Sequence, residues 1–444
     1  MQKKILALIL SAVQMLSLAF AVQAEEAPEE IILHVATNGK GNGDGTENNP
    51  FSSIEKARDY LRRNDHKNKT VRVKIHGGRY YQSDVISFDS SDSGREGAPV
   101  IYEAAGDGEV VFKGSIDIDF TQFKPITNPE IVKRLSPGMQ KYVGVIDLKQ
   151  FGFTSEMVDF ISNTQKAVYE YPNILGIYLN GQKQPLAKYP NSGWLKILKL
   201  VKAGGRYPNY SQSSNGDVIE IPNLPNLERW VEAPDIQIQG YISSEYAKDW
   251  RQIKSIVIDE RELTFLKYSM AEPMKNGRFQ ILNLLEEIDM PGEWYIDKRT
   301  CEMYYYPSHN LRFGIDNLSI ATLSKNFVDF KGASYITFEG LTFEENASNG
   351  IVMDENCDSL TISHCNFKNI GGTGISVKGK NILVTGSKFE ATSKKAVALN
   401  GGDMATLTHA NNEVSNCHFY NTGIEGGGNS DGAVKLSGCG LRFK

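Results

Sequence analysis

The sequence is poor in cysteine and has no excess of basic residues. Its 444 residues include 48 Lys and Arg against 53 Asp and Glu, for a formal net charge of −5. Nucleic-acid-binding proteins normally carry a basic patch or stripe, so this balance argues against nucleic acid as a partner. The five cysteines also lack the spacing of a zinc site, so no metal–thiolate site is expected. They are Cys301, Cys357, Cys365, Cys417 and Cys439.

One long apolar stretch is present, at the N-terminus. Lys3 and Lys4 precede the mostly apolar Ile5 to Ala21, and small residues follow as a cleavage site. Serine and glutamine interrupt the stretch, which is short for a membrane span of about 20 residues. We therefore predict a cleaved signal peptide over residues 1–24, a secreted or periplasmic protein, and no membrane span after cleavage. Loss of the two lysines takes the formal charge from −5 to −7.

The rest of the chain divides by composition into three regions. Residues 25–114 alternate short apolar strands with turns and contain one helical pattern, so we predict an N-terminal cap and the first coils of a repeat fold. Residues 115–315 hold all four tryptophans and strands of irregular spacing, which predicts an inserted, sandwich-like β-rich module. The aromatic side chains there are either core residues or platforms for sugars.

Residues 316–444 are repetitive. Short apolar alternations recur at steps of 23, 24 and 22 residues, and a second column consists of phenylalanines. The two columns are Val328, Ile351, Ile375 and Val397, and Phe343, Phe367, Phe389 and Phe419. This period, with two or three short strands per repeat, is typical of a parallel β-helix, whose stacked coils bury one apolar column. The alignment places Lys444 inside a coil, so we expect the chain to be C-terminally incomplete.

Two segments depart from the repeat, and we expect binding or catalysis there because insertions in a repeat form surface loops. The segments are residues 400–412 and 420–432, which flank the strand between Val414 and Phe419. Glycoside hydrolysis needs two carboxyl groups on either side of the scissile bond. Asp403 and Asp431 are the candidate catalytic pair, although an aspartate beside glycine is also ordinary turn chemistry.

Other polar residues of these segments are candidates for substrate binding. His409 and His418 have the chemistry of a general acid or a hydrogen-bonding partner, and Thr406 and Glu425 complete the candidate set. No cofactor or metal is expected. An acidic turn over residues 354–358 has oxygen ligands for Ca²⁺ but is more typical of a solvated turn.

Several motifs carry a resemblance to a known family. They are Val35–Gly39, Pro50–Arg58, Gly77–Tyr81, Asp92–Gly94, Ala98–Tyr102, Pro185–Asn191, Asn283–Glu287, Pro291–Asp297 and Gly401–Asp403. Together they resemble secreted, right-handed, pectate-lyase-like β-helix glycoside hydrolases that include α-L-fucosidase and xylanase activities. The resemblance implies an all-β fold and a catalytic role for Asp403. The family often has arginine where this chain has Met404.

The leading hypothesis is an exported glycoside hydrolase acting on a plant-type polysaccharide or oligosaccharide. Two alternatives remain open. A polysaccharide lyase of the same fold would use Lys435 or Arg442 as its base, and a non-catalytic glycan-binding β-helix would account for Met404. The sequence predicts no oligomeric state.

Overall fold

The structure is a computed structural model and describes residues 30–159, 176–205, 216–267, 271–308, 311–312, 314–424 and 432–444. The predicted signal peptide lies outside these residues. No helix within the described part is long and apolar enough to cross a membrane.

Short parallel strands form a coil with three faces, and the chain visits the faces in a fixed order. The faces are three sheets, which in one coil contain Thr361–Ser363 (sheet A), Ile351–Met353 (sheet B) and Asn366–Ile370 (sheet C). Each turn of the coil passes through sheet B, then sheet A, then sheet C, before it returns to sheet B one strand further along. All neighbouring strands within these sheets are parallel. This is the right-handed parallel β-helix that the sequence predicts.

Sheet A contains eight strands: Glu30–Lys40, Thr70–Ile75, Val100–Ala104, Ile336–Glu339, Thr361–Ser363, Leu383–Thr385, Glu413–Ser415 and Arg442–Phe443. Sheet B contains six: Ile86–Asp89, Val328–Lys331, Ile351–Met353, Ile375–Val377, Val397–Gly401 and Val434–Gly438. Sheet C contains six: Gly78–Tyr81, Val110–Lys113, Leu341–Asn346, Asn366–Ile370, Lys388–Glu390 and His418–Tyr420.

The register confirms the two predicted columns. Val328 pairs with Ile351, Ile351 with Ile375, and Ile375 with Val397 along sheet B. On sheet C the phenylalanine rings stack with centroids 4.9–5.4 Å apart. The stack is Phe112, Phe343, Phe367, Phe389 and Phe419, and Tyr80 extends it at 5.3 Å from Phe112. Because alternate residues of a strand point inward, one aromatic per coil fills the interior of the helix.

The corners of the coil are sharp, and each uses a residue in the left-handed conformation. Their φ angles lie between 50° and 70°. The corner between sheets A and C has Gly340, His364, Gly386 and Asn416; that between C and B has Glu345, Asn369, Ala391 and Asn421; that between B and A has Tyr335, Ser359, Asn381 and Asn411. Asparagine and glycine tolerate this conformation best, which explains their frequency at these positions.

One longer helix, Ile54–Arg63, packs against the first coil. Ser53 caps it by accepting a hydrogen bond from the backbone N–H of Lys56. Its buried face consists of Ile54, Ala57 and Leu61, which join the same hydrophobic cluster as the coil interior.

The inserted module leaves the coil after Lys113 and returns before Val328. Strands Ser115–Ile118 and Leu318–Ala321 pair with each other, so the two ends of the insertion form a common stem. A four-stranded antiparallel sheet contains this pair, together with Ile177–Leu179 and Gln182–Lys183. A second has Lys124–Pro125, Gly144–Asp147, Trp294–Asp297 and Glu302–Tyr305.

The largest sheet of the insertion is antiparallel and eight-stranded. Its strands are Lys188–Tyr189, Leu195–Lys196, Lys199–Lys202, Val218–Glu220, Gln237–Tyr241, Asp249–Val257, Glu262–Phe265 and Arg278–Leu282. Short helices accompany these sheets: Pro129–Arg134, Ser155–Asp159 and Leu227–Trp230, with 3-10 turns at Phe120–Gln122, Met139–Lys141, Leu148–Phe151 and Leu285–Glu287; another 3-10 turn, Ser90–Asp92, lies in the coil.

A buried polar cluster fastens the stem of the insertion to the coil. The Lys113 ammonium is 1% exposed and lies 2.7 Å from an Asp117 oxygen and 3.4 Å from a Glu345 oxygen. Ser115 and Ser319 each donate a hydrogen bond to the same Glu345 oxygen, at 2.6 and 2.7 Å. These charges are paired and hydrogen-bonded, as burial requires.

Candidate functional site

The segment after Gly401 forms a tight, exposed turn at the corner between sheets B and A. Asp403 and Thr408 close it with two backbone hydrogen bonds of 2.9 and 3.1 Å. Gly402, at φ 72°, lets the chain pass close to the Cys439 carbonyl, where a Cβ would lie 2.4 Å from the oxygen. The turn is therefore anchored to the last coil, although its side chains face solvent.

The Asp403 carboxylate is held by the backbone of its own turn. One of its oxygens accepts hydrogen bonds from the N–H of Ala405 at 2.8 Å and of Thr406 at 3.4 Å. These bonds, led by that from Ala405, lower the pKa of Asp403 below its ordinary value. Asp403 is thus ionised at neutral pH, which suits a base, a nucleophile or a hydrogen-bond acceptor rather than a proton donor.

Two other predicted residues lie in the same turn. The hydroxyl groups of Thr406 and Thr408 are 2.8 Å apart and exposed. His409 is exposed as well and packs against the backbone of Gly440, where a Cβ would come within 2.4 Å of the His409 Cβ. The structure therefore brings Asp403, Thr406 and His409 into one surface loop.

His418 lies elsewhere. It is exposed on sheet C, next to Lys388 of the preceding coil, and strand Glu413–Ser415 separates it from the turn. The structure thus separates His418 from Asp403, because a coil corner intervenes between their sheets.

The two predicted loops join sheet B at opposite ends of its strands. The Asp403 turn follows Gly401, whereas the second segment precedes Val434, which pairs with Val397 at the beginning of the neighbouring strand. Asp431 and Glu425 lie outside the described residues. Their roles stay predictions.

The acidic turn at residues 354–358 is occupied by internal hydrogen bonds. An Asp354 oxygen accepts from the N–H of Gly332 at 2.9 Å and of Asn356 at 3.1 Å. An Asp358 oxygen accepts from Ser359 and Asn381, and its other oxygen lies 3.4 Å from the Lys380 ammonium. Among the residues that the structure describes, no three His, Cys, Asp or Glu side chains are grouped to hold a metal ion.

The basic residues near the last coil differ in their environment. The Arg442 guanidinium lies 2.8 Å from Glu413, and the Lys444 ammonium lies 3.1 Å from the same carboxylate. Lys435 is exposed on sheet B beside Ala398. Because Glu413 already engages the Arg442 guanidinium, Arg442 is poorly placed to abstract a proton from a substrate.

Carboxyl groups with raised pKa values lie far along the chain from Asp403. Burial raises the pKa of Glu287 and of Glu293 to about 7, and it also raises that of Glu344. Glu287 accepts a hydrogen bond of 2.8 Å from the Trp230 indole, and Glu293 accepts from two backbone N–H groups. These contacts make Glu287 and Glu293 parts of the insertion's core.

The tryptophans of the insertion divide between core and surface. Trp230 and Trp294 are 0% and 1% exposed, so they are core residues. Trp194 is 37% exposed and meets the Tyr241 ring edge-on, with centroids 5.8 Å apart.

Comparisons with known proteins agree with the fold. Residues 326–439 match the family described as "Right handed beta helix region". A solved structure named "Glycoside hydrolase" is 15% identical, with a TM-score of 0.67 over 89% of this chain and 74% of that one. At this identity the similarity shows a shared fold. None of the curated proteins matches the chain.

Two further solved structures have TM-scores under 0.5, too low to bear on fold or function. A complex of XylC with xylose is 13% identical at a TM-score of 0.44, and this chain covers 56% of it. A tailspike of Acinetobacter baumannii bacteriophage AP22, in complex with a capsular saccharide, is 9% identical at 0.19 over 78% of this chain and 41% of that one.

Proposed function

We propose that this protein is a carbohydrate-active enzyme that is exported and hydrolyses glycosidic bonds of a plant-type polysaccharide or oligosaccharide. The observation that carries the proposal is the Asp403 turn, which presents an ionised carboxylate to solvent on a rigid coil. Rigid scaffolds with protruding loops are the usual setting for binding and catalysis.

The proposal divides the chemical roles between two groups. Asp403 acts as the nucleophile or as the base that activates water, because its pKa lies below the ordinary value. The proton for the leaving oxygen comes from a second group with a higher pKa. The strand that follows Asp431 begins at the end of sheet B opposite the Asp403 turn, so we leave this role unassigned. Thr406 and His409 hold the sugar hydroxyls from the same turn as Asp403.

Product analysis tests this proposal. Purified protein is incubated with xylan, arabinan, mannan, xyloglucan and polygalacturonate, and the release of reducing ends is measured. We expect reducing ends from at least one polymer without an ultraviolet-absorbing unsaturated uronate. Appearance of that chromophore would replace hydrolysis with β-elimination, and no release from any polymer would contradict the proposal.

A glycan-binding role is the second candidate, and Met404 favours it. The Met404 side chain is 67% exposed directly beside Asp403, and Leu407 of the same turn is 69% exposed. Exposed apolar groups of this kind cover the apolar face of a sugar without assisting bond cleavage. Glycan binding that survives Asp403→Asn, together with no turnover by the wild-type protein, would support binding over hydrolysis.

A further inference from the structure

A polar cleft of about 560 Å³ lies in the N-terminal coil, far from the Asp403 turn. The two places are four to six strand spacings apart along sheet A, and at about 4.8 Å per spacing this is roughly 19–29 Å along the coil. The volume lies within the range of small-molecule sites. The cleft is lined by Ala36, Thr37, Asn38, Lys40, Glu47, Asn48, Asn49, Pro50, His76, Gly77 and Asp107.

Two titratable side chains, His76 and Asp107, line one wall of the cleft, and His34 contacts His76. The Nδ1 of His76 is 2.6 Å from an Asp107 oxygen, and the Nε2 of His76 is 3.0 Å from the Nδ1 of His34. The two imidazole rings stack with centroids 5.2 Å apart. The other Asp107 oxygen accepts the N–H of Gly77 at 2.9 Å.

These bonds assign the protons. The bond from His76 and that from Gly77 lower the pKa of Asp107, so its carboxylate is ionised and His76 carries a proton on Nδ1. Both nitrogens of His76 are then engaged, and Asp107 is fixed in orientation. The wall is a rigid support rather than a proton donor to a ligand.

The loop that contributes Glu47, Asn48 and Asn49 to the lining is also preformed. The backbone N–H groups of Asp44 and Gly45 both donate to the Asn49 carbonyl, and the Asn49 N–H returns a bond of 3.1 Å to Thr46. The His34 N–H donates to the Gly45 carbonyl at 2.8 Å, which ties this loop to sheet A. A preformed cleft avoids the entropic cost of ordering a loop on binding.

The lining selects the chemistry of a ligand. Three asparagine amides and the Thr37 hydroxyl each supply both donors and acceptors, as sugar hydroxyl groups do. The charged groups at the cleft are Lys40, Glu47 and the Asp107–His76 pair, so no surplus of positive charge favours an anion. An uncharged ligand with many hydroxyl groups fits this lining best.

We propose that the cleft is a second saccharide-binding site, which holds a neutral sugar unit through Asn38, Asn48 and Glu47 against the Asp107–His76 wall. The choice of a saccharide rests on the proposed function, but the site does not share residues with the Asp403 turn. It holds a polysaccharide chain at a distance from the point of cleavage and so raises the local substrate concentration.

Calorimetric titration with xylotetraose, cellotetraose and mannotetraose tests the site. The Asn38→Ala/Asn48→Ala double variant removes two exposed amides, so its fold is unaffected, and we expect affinity to fall at least tenfold. The control is Asn356→Ala, an exposed asparagine at a distant corner, which retains wild-type affinity. Asp403→Asn also retains binding at the cleft. Wild-type affinity in the double variant, or no binding of any tetrasaccharide by the wild type, would overturn the proposal.

A spectroscopic readout locates the ligand. In protein with ¹⁵N-labelled histidine, saccharide binding shifts the imidazole signals of His76 and His34 and leaves those of His418 unchanged. If the His76 and His34 signals shift but the protein hydrolyses no polymer, the proposed function is refuted and the saccharide site in the cleft is supported. Saccharide binding that shifts only the His409 signal would refute the cleft and leave the proposed function intact.

Discussion

The phenylalanine stack of sheet C makes a strong energetic prediction at Phe367. This side chain is 1% exposed and lies between two parallel rings, Phe343 at 5.3 Å and Phe389 at 4.9 Å. Phe367→Ala removes both stacking contacts and leaves a cavity between two coils that cannot collapse, because each coil is held by its own strands. Substitutions of this kind cost about 3–5 kcal/mol.

Phe419 is the matched comparison. It occupies the same column but is only half-buried, with a stacked ring on one side at 5.4 Å and a tilted one on the other at 6.2 Å. We expect Phe419→Ala to cost roughly half as much. Urea unfolding followed by circular dichroism measures both losses. A loss below about 1 kcal/mol at Phe367, or a larger loss at Phe419, would refute the view that this column holds the coils together.

Three further predictions concern the insertion and the cysteines. The Glu286 carboxylate is 1% exposed and lies 2.6 Å from the Arg134 guanidinium, so Arg134→Met leaves it without its partner. We expect the free energy of unfolding to fall by about 3–5 kcal/mol. The Arg134→Met/Glu286→Leu double variant should recover this loss, because it removes the buried charge as well. Glu293→Gln relieves a group whose folded pKa, about 7, exceeds its ordinary 4.5. As pH increases from about 4.5 to about 7, the wild type loses stability because Glu293 ionises in the unfolded chain before it ionises in the folded one. The difference in melting temperature, variant minus wild type, should therefore increase over this range. A difference that stays constant would contradict the burial argument. The five cysteines are free. Cys301 is buried, and burial raises the pKa of Cys357 and Cys365 to about 12 and also raises that of Cys417. Ellman's reagent should therefore modify only Cys439 rapidly in the native protein and all five cysteines in urea.

The coil was predictable because its signal is local and periodic. The length of one coil sets the spacing of the apolar column Val328, Ile351, Ile375 and Val397. Residues that align between repeats in the sequence therefore pair with each other in sheet B. The corners were not predicted. Residues such as Tyr335 and Ala391 adopt the left-handed conformation there, although neither residue type favours it. Stacking of successive coils imposes this conformation on them.

The sites were less predictable than the coil. The turn that groups Asp403, Thr406 and His409 follows from a local insertion, whereas the separation of His418 depends on which sheet its strand joins. The His34–His76–Asp107 chain joins residues 42 and 31 positions apart, across coils of unequal length. The sequence feature that could have indicated this chain of side chains is the pair of turns at Gly77 and Gly108. The backbones of these turns approach so closely that a Cβ on Gly77 would lie 2.7 Å from the Gly108 Cα.

The activity of Asp403→Asn relative to Asp119→Asn tests the central claim most directly. Both aspartates are exposed, both accept a backbone hydrogen bond of 2.8 Å from the residue two positions ahead, and both have lowered pKa values, but Asp119 lies on the insertion. On a polymer that the wild type cleaves, we predict that Asp403→Asn lowers kcat/KM at least about a hundredfold, in line with the loss of a general base. Asp119→Asn should leave it unchanged. Equal activity of the two variants would contradict a catalytic role for the Asp403 turn.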